Sequence, residues 1–181
     1  MKTKAVLYHD SPGKGNTEVT IKAALERARL LGIRDIVVAS GTGLTGVLAC
    51  EVFKGFNLVV VTSQVGISAP GVSKLVESNE ERVRSLGGKI FTGMHALSGV
   101  ERAIRMKWNT IGPVEIIADA LKIFGEGTKV CVEIVTMAAD AGLIPVDRDV
   151  IAIAGSSSGA DTALVISPVH SNNFFKMTVR E

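Results

Sequence analysis

Two loops in this chain combine glycine backbone with hydroxyl side chains and carry almost no charge. The first, Ser40-Gly41-Thr42-Gly43-Leu44-Thr45-Gly46, directly follows the apolar run Ile36-Val37-Val38-Ala39. The second, Gly155-Ser156-Ser157-Ser158-Gly159-Ala160-Asp161, directly follows Val150-Ile151-Ala152-Ile153-Ala154. Glycine lets backbone approach a ligand closely, and N–H groups with hydroxyls at a helix start suit a phosphate. The two loops are expected to form one site for a small phosphorylated ligand.

Other chemistries fit these letters less well. Gly41-x-Gly43-x-x-Gly46 has the spacing and the strand-then-helix context of a dinucleotide fingerprint. The next strand, however, ends Thr62-Ser63-Gln64, with no acid for a ribose and no Arg for its phosphate. A plain tight turn also accounts for the glycines. Around Ser157 the second loop reads as a nucleophile elbow, with Asp161 and His170 in hydrolase order. An elbow must enter a helix, yet Thr162 to Ile166 is β-rich and the acid and base follow too closely. There is no Walker A loop. His9, His95 and His170 are scattered without matched carboxylates, and His95 is set apart by following a strand end. Glu133 and Asp140 fall on one helix face, either as pocket acids or as the solvated stripe of an amphipathic helix.

The elements that must position the loops follow from periodicity. Short apolar runs mark strands at Ala5–Tyr8, Asp35–Ala39, Leu58–Val61, Lys89–Thr92, Val150–Ala154, Thr162–Ile166 and Met177–Val179. Helices are expected at Thr17–Leu31 with Asn16 as cap and Gly32 as stop, and at Leu44–Phe53. Ser78 with Glu81 and Ser98 with Glu101 read as capping boxes for two more. Pro113 opens another that Gly125 closes, and Thr128–Ala141 is the last. Buried strands alternating with helices specify a three-layer α/β/α fold with a mainly parallel sheet. The tight connection after Ala154 requires an antiparallel pair at one edge.

Composition narrows the function classes. The 181 residues fit a single domain spanning 1–181, and 46% hydrophobic with 21% charged residues is ordinary for a globular protein. Aromatics are only 4% and the net charge is +2 without a basic stripe, so no nucleic-acid partner is expected. Arg102, Arg105 and Lys107 read as a solvated helix face. No metal-type Cys/His spacing occurs, and Cys50 and Cys131 are expected to be buried free thiols in a reducing cytoplasm. No run of about 18 apolar residues occurs, so neither a leader nor a membrane partner is expected. A mass of 19.0 kDa makes a homo-oligomer a reasonable expectation.

Ser40-Gly41-Thr42-Gly43, the helix after it and the strand Leu58–Thr62 resemble the C-terminal domain of pyruvate kinase. So does the tail from Asp149 through Gly155 to Thr162, a strand, a Gly/Ser-rich turn and a returning strand. These segments cover about half the chain. In that family both loops clasp the phosphates of a sugar bisphosphate effector. The resemblance carries the first clasp to Ser40, Gly41, Thr42, Gly43 and Thr45, and the second to Ser156, Ser157, Ser158 and Gly159. Thr62, Ser63 and Gly155 complete the expected contact set at the strand ends. The chain departs from the family in lacking room for a catalytic barrel, so phosphoryl transfer from phosphoenolpyruvate is not expected. It also has no basic residue inside either loop.

As a whole the chain is similar to small, chiefly archaeal, stand-alone proteins of this fold, which implies flavin mononucleotide (FMN) as ligand. Tyr8, Phe91 and Trp108 are the aromatic residues that could stack on its ring. A metabolite sensor without catalysis and a flavin-dependent oxidoreductase are the alternatives.

Overall fold

The computed structural model describes residues 5–181. Its helices are α1 (Thr17–Leu31), α2 (Leu44–Val52), α3 (Glu77–Ser85), α4 (Glu101–Trp108), α5 (Pro113–Lys122) and α6 (Glu126–Asp140). Its strands are β1 (Asp35–Ala39), β2 (Asn57–Thr62), β3 (Lys89–Thr92), β4 (Val150–Ala154), β5 (Thr162–Ser167) and β6 (Thr178–Val179). They form one six-stranded sheet in the order β3-β2-β1-β4-β5-β6. Pairs β3–β2, β2–β1 and β1–β4 are parallel, while β4–β5 and β5–β6 are antiparallel.

Strand alternation divides the core into two layers. Ile36, Val38, Leu58, Val60, Ile151 and Ile153 point to one face and pack on α1, α2 and α3 through Ile21, Ala49, Phe53 and Val83. Val37, Val59, Val61, Ala152 and Ala154 point to the other face, against α5 and α6 through Ala118, Cys131, Val135 and Ala138. Both faces of β1, β2 and β4 are therefore covered, which is why these strands read as continuous Val/Ile runs. This is the expected three-layer architecture with an antiparallel edge.

The chain leaves β1 through α2 and steps outward to β2 and β3. It then returns through α4, α5 and α6 to place β4 on the other side of β1. The connections diverge between β1 and β4, and a crevice is expected where they part, at the strands' carboxyl ends.

Several local expectations are corrected. Residues 5–8 form no strand: Val6, Leu7 and Tyr8 are exposed, and β5 is paired on both sides by β4 and β6. Asn16 does not cap α1; its Nδ2 donates to Ser11 O (2.6 Å) within a tight turn at Lys14–Asn16. Gly32 stops α1 in the left-handed region, as expected. Neither capping box forms. Ser78 lies inside the first turn of α3, and Ser98 Oγ accepts from Arg102 Nε (3.0 Å). Glu101 serves the neighbouring helix instead, its Oε2 accepting the Glu115 N–H at 2.7 Å. The last long helix begins at Glu126, two residues before Thr128. Among the described residues no helix is long and apolar enough to cross a membrane.

Candidate functional site

A crevice of about 430 Å3 opens at the carboxyl ends of β1 and β4, where the connections leaving the two paired strands diverge. It is lined by Ser40, Gly41, Thr42 and Thr45 from the first loop, and by Gly155, Ser157, Ser158 and Gly159 from the second. Thr62 and Ser63 at the end of β2 complete that wall. Ten of the twelve residues singled out in the sequence thus meet at one place. Gly43 and Ser156 do not line it.

The first loop is held from both sides. Ser40 N–H donates to Val61 O (2.9 Å), and the buried Ser40 Oγ accepts the Gly46 N–H (3.1 Å) at the start of α2. The Thr42 carbonyl accepts from Val76 N–H (3.2 Å) and Asn79 Nδ2 (2.9 Å) at the start of α3. Gly43 has φ +89°, and a Cβ there would meet Asn79 Cβ at 2.7 Å, so this glycine serves packing on α3. Among the described residues, the N–H groups of Thr42, Leu44 and Thr45 have no protein acceptor. Leu44 and Thr45 supply unsatisfied donors of the α2 N-terminus, and Thr42 adds one from the loop before it, at the mouth of the crevice.

The second loop is organised by a residue that sequence reasoning noted only as a hydrolase triad member. Asp161 Oδ2 accepts the N–H groups of Gly13 (2.9 Å) and Ser156 (3.1 Å), and Oδ1 accepts from Thr162 Oγ1 (2.9 Å). Burial pushes this carboxyl up, but the N–H and hydroxyl donors outweigh it and hold it below the ordinary carboxylate value. Ser156 N–H is thereby committed, so it is not free for a ligand. Thr17 Oγ1 accepts the Ala160 N–H (3.0 Å), docking the loop on the start of α1. Ser157, with φ +71°, stands exposed at the tip in a conformation that side chains rarely adopt.

The third wall was missed. Glu126, Lys129, Val130, Glu133, Ile134 and Met137 recur at helical spacing and turn one face of α6 into the crevice. Lys129 Nζ pairs with Glu133 Oε2 (2.6 Å), with side chains 12% and 5% exposed, while Glu133 Oε1 accepts the Leu97 N–H (2.9 Å). Glu133 is therefore a buried crevice acid and not part of a solvated stripe. Asp140, seven residues on, lies outside, accepting the Ser171 N–H (2.9 Å) near His170. Lys74 and His95 line the rim. Burial holds the His95 imidazole below its usual value despite the Glu133 charge nearby. The signal for this wall was Glu133 itself, an acid inside an apolar helical run.

The proposed ring-stacking residues are elsewhere. Trp108 is exposed beneath Lys107 Nζ, Tyr8 is exposed, and Phe91 packs against the α5–α6 core layer. A larger, mostly apolar cavity of about 650 Å3 lies between α1, β5 and residues 5–9, away from the first loop and touching the second at Asp161. Its charged groups are Arg27, bound in a bidentate pair to Glu181, and Asp161.

An open, mainly parallel sheet with its crevice at the point where the connections diverge defines a doubly wound type of α/β domain. The family model for the pyruvate kinase alpha/beta domain matches residues 18–166, and the chain belongs to that family. Among solved structures, a pyruvate kinase from Cryptosporidium parvum is similar at 16% identity and a TM-score of 0.42, over 82% of this chain and 22% of the enzyme. A second structure of Cryptosporidium parvum pyruvate kinase, in complex with ADP, gives 14%, 0.43, 82% and 23%. The chain thus spans less than a quarter of the length of these enzymes.

Proposed function

We propose that this protein binds a phosphorylated small molecule in the crevice between β1 and β4, and that the ligand is flavin mononucleotide. The observation that carries this reading is the convergence of two glycine- and hydroxyl-rich loops on three unsatisfied N–H groups, Thr42 before α2 and Leu44 and Thr45 at its start. A phosphate there gains charge-assisted hydrogen bonds from N–H groups and from the Thr42, Thr45, Ser157 and Ser158 hydroxyls. Lys74 on the crevice wall supplies positive charge that the loops themselves lack, while the Lys129 charge is balanced by Glu133. The donor set therefore suits the phosphate. Val61, Val130, Ile134 and Met137 give the adjoining wall an apolar surface for a flat ring, in a volume typical of small-molecule sites. The flavin would supply redox chemistry, and the protein position and electrostatics.

The Lys74 charge beside the loops also favours a second reading, a sensor for a sugar phosphate that carries out no reaction. Turnover of a reduced nicotinamide by the flavin-loaded protein separates an oxidoreductase from a sensor. The buried free thiols are in keeping with work in a reducing cytoplasm.

A visible absorption spectrum of purified protein, taken after adding FMN and desalting, tests the ligand. A retained flavin band is expected; its absence removes the flavin reading. Thr42 is exposed, so Thr42→Glu leaves the fold intact while setting a carboxylate against the phosphate. It should weaken FMN more than about 100-fold with little change in melting temperature. Unchanged affinity would remove the first loop from the site.

A further inference from the structure

A carboxylate in a phosphate-binding crevice is anomalous, because like charges in a partly dry site repel. Glu133 is such a group: it is buried, it lines the crevice, and it lies on the same face of α6 as Lys129. A structural role explains only half of its bonding capacity. A carboxylate offers about four acceptor positions, and the Leu97 N–H and Lys129 Nζ fill one each. Lys129 likewise has about three donors, and its bond to Glu133 uses one. The pair therefore presents an acceptor and a donor side by side, both shielded from water. Val130, Ile134 and Met137 continue the same helix face as a flat apolar strip beside them.

We infer that Lys129 and Glu133 read the hydrogen-bonding edge of a planar heterocycle carried by the phosphorylated ligand. The heterocycle is of the lactam or imide class, with an N–H for Glu133 and a ring carbonyl for Lys129. Its face lies on the Val130–Ile134–Met137 strip. A polyol could satisfy the charged pair but would strand its hydroxyls against that strip, an unfavourable exchange. The crevice then has a division of labour. The loops hold the phosphate without regard to what it is attached to, and α6 selects the attached ring. This inference rests on the phosphate-site reading above and goes beyond it by assigning ring recognition to two residues.

The test compares dissociation constants of wild-type protein for FMN and for its N3-methyl analogue, which lacks the imide N–H but keeps ring and phosphate. The analogue should bind at least about tenfold more weakly, the cost of leaving a buried charged acceptor unpaired. Glu133→Gln provides an independent arm. Its amide oxygen can still accept the Leu97 N–H, but its NH2 replaces the oxygen that accepts from Lys129 Nζ and faces the ligand's own donor. FMN should weaken in this variant by a clearly larger factor than N3-methyl-FMN, which shares only the loss of the Lys129 partner. Equal affinities of the wild type for the two flavins, or an equal loss of both in Glu133→Gln, would overturn the edge contact and leave the phosphate site standing. Failure of the wild type to bind either flavin would overturn the flavin reading and this inference with it.

Discussion

Asp161 is the residue on which the second loop depends. One carboxylate gathers the N–H groups of Gly13 and Ser156 and the hydroxyl of Thr162, joining the start of the chain to the β4–β5 turn. Because its folded-state value is depressed, its contribution to stability is fully present above the unfolded carboxyl value of about 3.9. That contribution is lost as pH falls through the lower, folded value. Asp161→Asn keeps a single acceptor oxygen and should cost about 1–3 kcal/mol at neutral pH. In a pH series of denaturant melts, the gap between wild type and variant should close below about pH 4. A gap that stays constant to pH 2.5 would show that the charge is irrelevant to the loop. The residue could not be valued from sequence, because its partners Gly13 and Ser156 come together only when α1 docks beside β4. The loop glycines were legible as a group, yet their roles were not: Gly43 serves packing on α3, while Gly41 faces the crevice.

At the scale of elements, strand runs and their order of burial could be read directly, since Ile36–Val38 and Leu58–Val61 are apolar on both faces. Helix caps could not. The Ser98–Glu101 spacing suggested a cap within α4, but tertiary structure turns Glu101 outward to the start of α5. There the carboxylate both accepts the Glu115 N–H and meets the helix dipole, and Gly112 leaves it room, since a Cβ at Gly112 would collide with it. Glu101→Ala should therefore destabilise by about 1 kcal/mol, with faster amide exchange at the first turn of α5 and not within α4. Faster exchange confined to α4 would restore the capping-box reading. Residues 5–8 show the opposite failure. Their pattern is that of a strand, but they form no ladder with any strand and leave Val6, Leu7 and Tyr8 exposed.

For the whole molecule, both core layers contain a thiol. Cys50 lies on α2 with its sulfur beside Gly88 ahead of β3, and Cys131 on α6 against the opposite face; both are buried. Burial, with a smaller effect of Glu51, pushes Cys50 up to about 11, and burial raises Cys131 further. The native protein should therefore leave a thiol reagent such as Ellman's reagent unreacted at neutral pH, and reaction should track global unfolding. Rapid modification of Cys50 in the folded state would indicate local opening of α2. The overall architecture was accessible from sequence because it follows from patterning and connection rules. The face of α6 that closes the crevice was not, because it depends on how that helix is rotated against the sheet.

The crevice draws its two glycine- and hydroxyl-rich loops from opposite halves of the chain, and they meet only once β4 has paired with β1. Partial folding of either half leaves no site behind. Ligand binding is then coupled to the complete folding transition rather than to a local one. Every increment of affinity should appear in the global melting curve, amounting to about 2.7 kcal/mol at a ligand concentration one hundred times Kd. Melting the protein against a panel of phosphorylated metabolites thus ranks ligands by affinity without any assay of activity.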